Sequence, residues 1–164
     1  MTGGERALVR RRGAGGAVEV VADVTPHQRS SLVLLINGGD YAAHRLRGRL
    51  SASQFDGVVQ RLVATGTLTH AAGRIAATAL GRFDLLAEGA KEAMTCIIGH
   101  GSIRESYASG SGRHPASLRA LKTLAVKSAG GRWRLTRLGE ETAAAVVAAG
   151  LAPARADAPA EEVA

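Results

Sequence analysis

A nine-residue segment occurs twice in this chain, and the repeat constrains the fold more than any other feature of the sequence. Residues 73–81, GRIAATALG, match residues 131–139, GRWRLTRLG, at five of nine positions with an offset of 58. Upstream, residues 36–39, INGG, correspond to residues 98–101, IGHG, with an offset of 62. A segment that recurs at a fixed spacing indicates one structural unit built twice. Chance similarity in a chain rich in Gly, Ala and Arg is the alternative.

The first copy is predicted over residues 24–90. Thr25 is placed to cap a helix whose first residue is Pro26, and residues 51–54, SASQ, form the pattern of a second helix start, a capping box. In the helix that follows, apolar residues recur at helical spacing, which predicts one buried face: Phe55, Val58, Val59 and Leu62. The predicted elements are a first helix, a short element over 41–47, the second helix, strands at 67–69 and 74–78, and a helix over 79–88.

The second copy is predicted over residues 91–150 with the same order of elements. Trp133 alternates with Arg132 and Arg134 along a short strand, so we expect the indole to be buried and the two arginines to share the exposed face. Thr136 is placed to cap the last helix. The predicted elements are a helix over 92–98, a short strand or turn over 103–107, a helix over 115–127, a hairpin turn at 130–131, a strand over 133–136 and a helix over 137–149.

The two ends of the chain differ from these copies in composition. Residues 1–23 are basic and glycine-rich and predict a flexible arm. Residues 151–164 combine Ala, Pro and acidic residues without periodicity, which is typical of a disordered tail.

The order helix, short element, helix, two-stranded hairpin and closing helix resembles that of winged-helix (winged helix-turn-helix) DNA-binding domains. Residues 131–139 resemble the segment that leads from wing to helix in many bacterial winged-helix regulators, where Leu-Thr and two variable residues precede a Gly. The first copy keeps Thr78 and Gly81 but has Ala77 in the Leu position. The resemblance covers residues 25–149. It implies a mostly α fold with short β-hairpins, an α+β fold, built from tandem winged-helix units.

Charge favours a polyanionic partner. The chain has a net charge of +7, and each phosphate that a basic side chain neutralises releases a counterion. Residues 24–90 carry seven Lys or Arg and four Asp or Glu, whereas residues 91–150 carry nine and four. We therefore expect double-stranded DNA as the partner, with a protein partner or a homodimer also possible and no membrane association.

The second copy is the preferred DNA reader, because Asp56 lies within the helix that would enter the groove in the first copy. The first copy is then a scaffold or a supporting contact. A helix fits the major groove, and a hairpin reaches phosphate or the minor groove. The candidate DNA-binding residues of the second copy are Arg113, His114, Ser117, Arg119, Lys122, Arg132 and Arg134. Those of the first copy are Arg74, Arg45, Arg47, Arg49, Gln54 and Arg61.

No grouping of residues indicates catalysis, a metal or a cofactor, so an enzyme is not expected. The five histidines lack metal-ligand spacing, and the single cysteine, Cys96, lies in an apolar run that predicts a buried small side chain. Without a signal peptide or a membrane span in the sequence, we expect a cytoplasmic, nucleoid-associated protein.

The function predicted is that of a transcriptional regulator, or of a phage- or plasmid-type DNA-binding factor, that uses the third helix and the wing of the second copy. The main alternative is a winged-helix protein-interaction scaffold of the chromosome-segregation type that does not touch DNA. A replication-initiator fragment is a third interpretation, which the short length weakens.

Overall fold

The structure, a computed structural model, describes residues 7–12, 18–24, 26–47, 51–108 and 112–154. The chain divides into two units, Met1–Leu85 and Leu86–Ala164. Both units combine helices with short antiparallel strands, so the α+β class predicted from the sequence is confirmed. The boundary lies at residues 85–86 instead of 90–91.

The described residues of the first unit form a two-stranded sheet, a three-stranded sheet and four α-helices. In the three-stranded sheet the strand Arg74–Ala77 lies between Asp40–Ala42 and Leu68–Ala71. The elements of the first unit are β1 (Ala7–Arg12), β2 (Val18–Val24), α1 (Pro26–Leu32) with a 3₁₀ turn (Val33–Asn37), β3 (Asp40–Ala42), α2 (Ala43–Arg47), α3 (Ala52–Ala64), β4 (Leu68–Ala71), β5 (Arg74–Ala77) and α4 (Ala79–Asp84).

The expectation of a flexible arm over residues 1–23 is wrong for the two segments described there. β1 and β2 pair in antiparallel register from Ala7 opposite Val24 to Arg12 opposite Val18. The Arg11 guanidinium holds this hairpin on the first unit through an ion pair of 2.7 Å with the fully buried carboxylate of Asp84. A buried carboxylate needs such a partner, because an unpaired buried charge is strongly destabilising.

The capping box and the apolar face of α3 are confirmed. The Ser51 hydroxyl accepts a hydrogen bond from the Gln54 N–H at 3.2 Å, and the Gln54 side chain accepts one from the Ser51 N–H at 3.3 Å. The predicted inward residues of α3 are at most 3 % exposed. Burying each such aliphatic or aromatic side chain contributes about 1.5–3 kcal/mol. Gly66, with φ of 80°, follows the helix.

The second unit has one three-stranded sheet and three helices among its described residues. The strand Arg132–Leu135 lies between Ser102–Arg104 and Ala125–Lys127, so the last strand is central, as it is in the first unit. Its elements are α5 (Glu88–His100), β6 (Ser102–Arg104), α6 (Pro115–Arg119), a 3₁₀ turn (Lys122–Leu124), β7 (Ala125–Lys127), β8 (Arg132–Leu135) and α7 (Arg137–Ala148).

The single helix predicted over residues 115–127 is wrong. α6 ends at Arg119, and Lys122 has φ of 52°, in the left-handed region, which an α-helix cannot continue through. The carbonyl of Leu124 accepts a hydrogen bond from the Thr136 N–H, and Val126 pairs with β8. Strand pairing therefore overrides the helical propensity of this segment.

Three further boundaries differ from the predicted ones. α4 ends at Asp84, short of residue 88, and α5 begins at Glu88, ahead of residue 92. The glycine in the first turn of α5, Gly89, has a packing role, since a Cβ built there would lie 2.7 Å from the Ser117 hydroxyl of α6. In the predicted tail, Ala152 is only 7 % exposed, so the packed chain extends beyond residue 151. Thr25 and residues 155–164 lie outside the described part.

Both copies of the repeated segment form the last hairpin strand and lead into a helix, as predicted. Thr78 caps α4 by accepting a hydrogen bond from the Gly81 N–H at 2.8 Å. Thr136 caps α7 in the same way, from the Gly139 N–H at 3.2 Å. Thr78 and Thr136 are therefore equivalent N-caps in the two units.

The glycine that ends each copy is required by packing. A Cβ on Gly81 would collide with the carbonyl oxygen of Thr67, and one on Gly139 would collide with that of Leu124. The same two carbonyls accept hydrogen bonds from the N–H groups of the capping threonines, each at 3.0 Å. The repeat thus encodes one close strand-to-helix junction, built twice.

Candidate nucleic-acid interface

Three arginines share the outer face of the sheet in the second unit. β6 and β8 pair with Ser102 opposite Arg134 and Arg104 opposite Arg132. Because side chains alternate along a strand, these four residues lie on one face. The residues between them, Ile103 and Trp133, are buried on the other face. We call the outer face, with Arg104, Arg132 and Arg134, the arginine face.

The hydrogen bonds of the arginine face leave its charge uncompensated. Arg132 donates to the Ser102 hydroxyl at 2.8 Å and to the Ser102 carbonyl at 3.0 Å. Arg104 donates to the carbonyl of Gly130 at 3.3 Å. The Arg134 side chain is exposed, and its guanidinium makes no hydrogen bond or ion pair with any residue that the structure describes. Every acceptor is neutral, so three positive charges remain on this surface.

The pairing of Arg104 with Arg132 is unfavourable in the isolated chain. Residues directly opposite in an antiparallel pair have Cβ atoms about 4.5–5.5 Å apart, and like charges at that distance destabilise a sheet. An anion placed between the two guanidinium groups would remove this repulsion.

Behind the arginine face, Trp133 is 8 % exposed, as predicted. Its indole N–H donates to a carboxylate oxygen of Glu105 at 3.1 Å, and the Lys127 ammonium contacts the same oxygen at 3.1 Å. The hydrogen bond from Trp133, followed by that from Lys127, lowers the pKa of Glu105. Glu105, which directly follows β6, thereby links that strand to Trp133 of β8 and to Lys127 of β7.

The equivalent face of the first unit is neutralised internally. Arg74, predicted as a wing contact, donates to the Asp40 carboxylate at 3.0 Å and to the Asp40 carbonyl at 3.1 Å. This hydrogen bond, with the Coulombic attraction of Arg74, lowers the pKa of Asp40. The Arg74 guanidinium is therefore already paired with the Asp40 carboxylate.

The two helices predicted to enter a DNA groove differ in length. α3 has 13 residues, whereas α6 has five. Five residues span about 7.5 Å, less than the roughly 12 Å width of the major groove. The second unit was expected to be the base reader because Asp56 lies in the helix of the first, but its own helix is shorter than the predicted one over residues 115–127. The exposed polar residues of α3 are Ser53, Gln54, Asp56, Gln60 and Arg61.

Two residues assigned to the α6 surface have structural contacts instead. The His114 imidazole caps the helix, with Nδ1 accepting from the Ala116 N–H at 3.2 Å. Ser117 is half-buried beside Gly89 of α5, so it is less exposed than a groove-facing residue was expected to be.

The remaining basic candidates of the second unit are dispersed. Arg119 is exposed at the end of α6, and Lys122 is exposed in the 3₁₀ turn beyond the helix, so the two do not share a helical face. Arg113 is half-buried, and its carbonyl accepts from the Ser106 N–H.

The remaining candidates of the first unit lie on α2 and α3. Arg45 is exposed and Arg47 half-buried on α2, while Arg61 is exposed in the last turn of α3. The Gln54 side chain is used in the capping box. Arg49 lies outside the described residues.

Sequence reasoning missed Arg104. The offset of 62 that relates residues 36–39 to residues 98–101, extended to the next strand, aligns Ala42 with Arg104 and Asp40 with Ser102. Extending that alignment would have identified the third arginine and the missing carboxylate.

Other kinds of site are not found in the described residues. No group of three or more His, Cys, Asp or Glu side chains there is placed to hold a metal ion. Cys96 is a free, half-buried thiol, less enclosed than predicted. No helix within the described ranges has the length and apolar character needed to cross a bilayer. Comparison of the chain with protein families, curated proteins and solved structures gives no match.

Proposed function

We propose that this chain is a double-stranded DNA-binding protein built from two tandem winged-helix units, acting as a transcriptional regulator or as a phage- or plasmid-type DNA-binding factor. The observation that carries the proposal is the arginine face, where three guanidinium groups lie on one exposed surface without a carboxylate partner among the described residues.

The order of elements supports the winged-helix assignment. The first unit runs α1, β3, α2, α3, β4, β5, and the second runs α5, β6, α6, β7, β8, with one α-helix fewer before the hairpin among its described residues. In both units the last strand lies between the other two. A hairpin next to a helix is the arrangement by which such domains reach both the backbone and a groove of DNA.

The chemistry of guanidinium groups supports a phosphate ligand. Arginine presents up to five N–H donors in a planar fork that matches phosphate oxygens bidentately. Protein–DNA interfaces are polar and strongly positive, as the arginine face is. We therefore assign backbone contacts to the second unit.

The length of α3 supports a role in the groove for the first unit. This helix exposes Gln60 and Arg61, residue types that bond base edges. The proposal thus assigns base contacts to the first unit and backbone contacts to the second, whereas the sequence led us to expect base contacts from the second unit.

Titration of the full chain with random duplex DNA over a salt series tests the proposal. We expect binding at low salt, with log K falling linearly as log salt rises, by about 0.9 per phosphate contact. A full chain that stays folded and does not bind duplex at low salt contradicts the proposal.

A second candidate is a protein-interaction scaffold that does not contact DNA. The five-residue α6 and the internally paired Arg74 of the first unit favour it. In the same titration, this candidate predicts no salt-dependent binding of duplex.

A further inference from the structure

We infer that the DNA backbone lies across the arginine face of the second unit, and that the Asp40 carboxylate closes the matching face of the first unit to phosphate. The inference rests on the proposed function and adds to it where the backbone binds and why only one of two like units provides the site.

The two sheets have the same pairing register. β3 and β5 pair with Asp40 opposite Ala76 and Ala42 opposite Arg74. β6 and β8 pair with Ser102 opposite Arg134 and Arg104 opposite Arg132. Each position of one face therefore has a counterpart on the other: Asp40 and Ser102, Ala42 and Arg104, Arg74 and Arg132, and Ala76 and Arg134.

Arg74 and Arg132, at equivalent positions of the two sheets, donate to the backbone in the same way. Arg74 donates to the Asp40 carbonyl at 3.1 Å, and Arg132 donates to the Ser102 carbonyl at 3.0 Å. The two sheets differ in the side chain of the residue whose carbonyl accepts this hydrogen bond. Asp40 adds a carboxylate 3.0 Å from the guanidinium, whereas Ser102 adds a neutral hydroxyl.

The other two positions increase the contrast. The first unit has Ala42 and Ala76 where the second has Arg104 and Arg134. The face of the first unit thus carries one arginine paired with one carboxylate, and the arginine face carries three arginines. A backbone phosphate is therefore attracted to the arginine face, whereas the Arg74 guanidinium of the first unit is already neutralised by Asp40.

The composition of the arginine face favours phosphate over a protein surface. Protein interfaces are built around apolar or aromatic anchors, and Trp133 is turned to the buried side of this sheet. On the arginine face the large apolar residue is Val126, opposite Arg134 and 43 % exposed, while the exposed Tyr107 lies beyond the end of β6. The guanidinium donors of Arg134 are available for an anion, since this side chain bonds no described residue.

The test moves the carboxylate from one unit to the other. Ser102→Asp places a carboxylate where Asp40 lies in the first unit, next to Arg132. We expect the slope of log K for random duplex against log salt to become shallower by about one phosphate contact, roughly 0.9. Asp40→Ser is the matched control at the same sheet position of the other unit, and it should not make the slope shallower.

Arg134→Ala provides a second variant that does not depend on how Ser102→Asp folds. It removes an exposed side chain without a described partner, and it should also reduce the slope by about 0.9. If the parent binds duplex with a steep slope and both variants match it, the inference is wrong while the proposed function stands. If the parent does not bind at low salt, both are wrong.

Discussion

Arg104 and Arg132 lie directly opposite each other on β6 and β8, and each donates to a neutral oxygen instead of a carboxylate. Like charges in this position lower the stability of a sheet. The same position in the first unit pairs Ala42 with Arg74, whose charge Asp40 compensates. The second unit therefore keeps two like charges at opposed positions, which a bound anion would offset.

The first prediction follows from this pair. Arg104→Glu replaces the repulsion with a cross-strand ion pair to Arg132, and should raise the free energy of unfolding by roughly 0.2–1 kcal/mol. It should also weaken duplex binding, because two charges of the arginine face are lost as phosphate contacts. Urea unfolding and a binding titration measure the two effects. A variant that loses stability, or binds DNA as tightly as the parent, contradicts the prediction.

A second prediction concerns Trp133. Trp133→Ala should cost about 3–5 kcal/mol of stability, because it removes a large buried ring. Trp133→Phe is the milder comparison, since it retains a ring and loses the hydrogen bond to Glu105. As the chain has one Trp, native fluorescence should be that of a largely shielded indole. An emission spectrum unchanged by unfolding would show that the ring is exposed.

The third prediction is a pH dependence that runs through Glu105. Its pKa is lowered in the folded chain by the hydrogen bonds from Trp133 and Lys127, so the unfolded chain takes up this proton first as pH falls. The stabilisation is complete above the carboxyl's ordinary pKa and is lost as pH falls through the lower folded-state pKa. Glu105→Gln should lose less stability than the parent over that acidic range. Parallel curves of unfolding free energy against pH would refute this.

The fourth prediction tests the repeated junction. Gly81→Ala and Gly139→Ala each build a methyl group into a backbone carbonyl and should destabilise by at least about 1–3 kcal/mol. Gly57→Ala and Gly99→Ala are the matched controls, because both lie within helices with open space at the Cβ position. The controls should stabilise by roughly 0.5–1 kcal/mol. Equal effects in all four variants would mean that the junction glycines have no special role.

The parts of the fold that local chemistry determines could be predicted from the sequence. The capping box at Ser51 and the Thr136 cap depend on neighbours a few residues away, and the inward orientation of Trp133 follows from the alternation of its own strand. Such patterns are visible in a single sequence because the residues that form the contact lie within the pattern itself.

The parts that failed depend on partners distant in the sequence. Arg11 bonds Asp84, 73 residues away, so composition alone suggested a flexible arm where a hairpin packs. The segment after Arg119 becomes a strand because β8 pairs with it, against its own helical preference. Arg104 was overlooked because the alignment at the offset of 62 stopped at residue 101, short of β6, whose pairing with β8 brings Arg104 to the other two arginines.

The most direct test of DNA binding by the arginine face compares the parent with a variant in which Arg104, Arg132 and Arg134 are all changed to Ala. Random duplex is titrated with each protein over the same salt series, and circular dichroism verifies that the variant is folded. Losing three phosphate contacts should make the slope of log K against log salt shallower by roughly 2–3 units. Equal affinities and equal slopes for the two proteins would contradict the assignment.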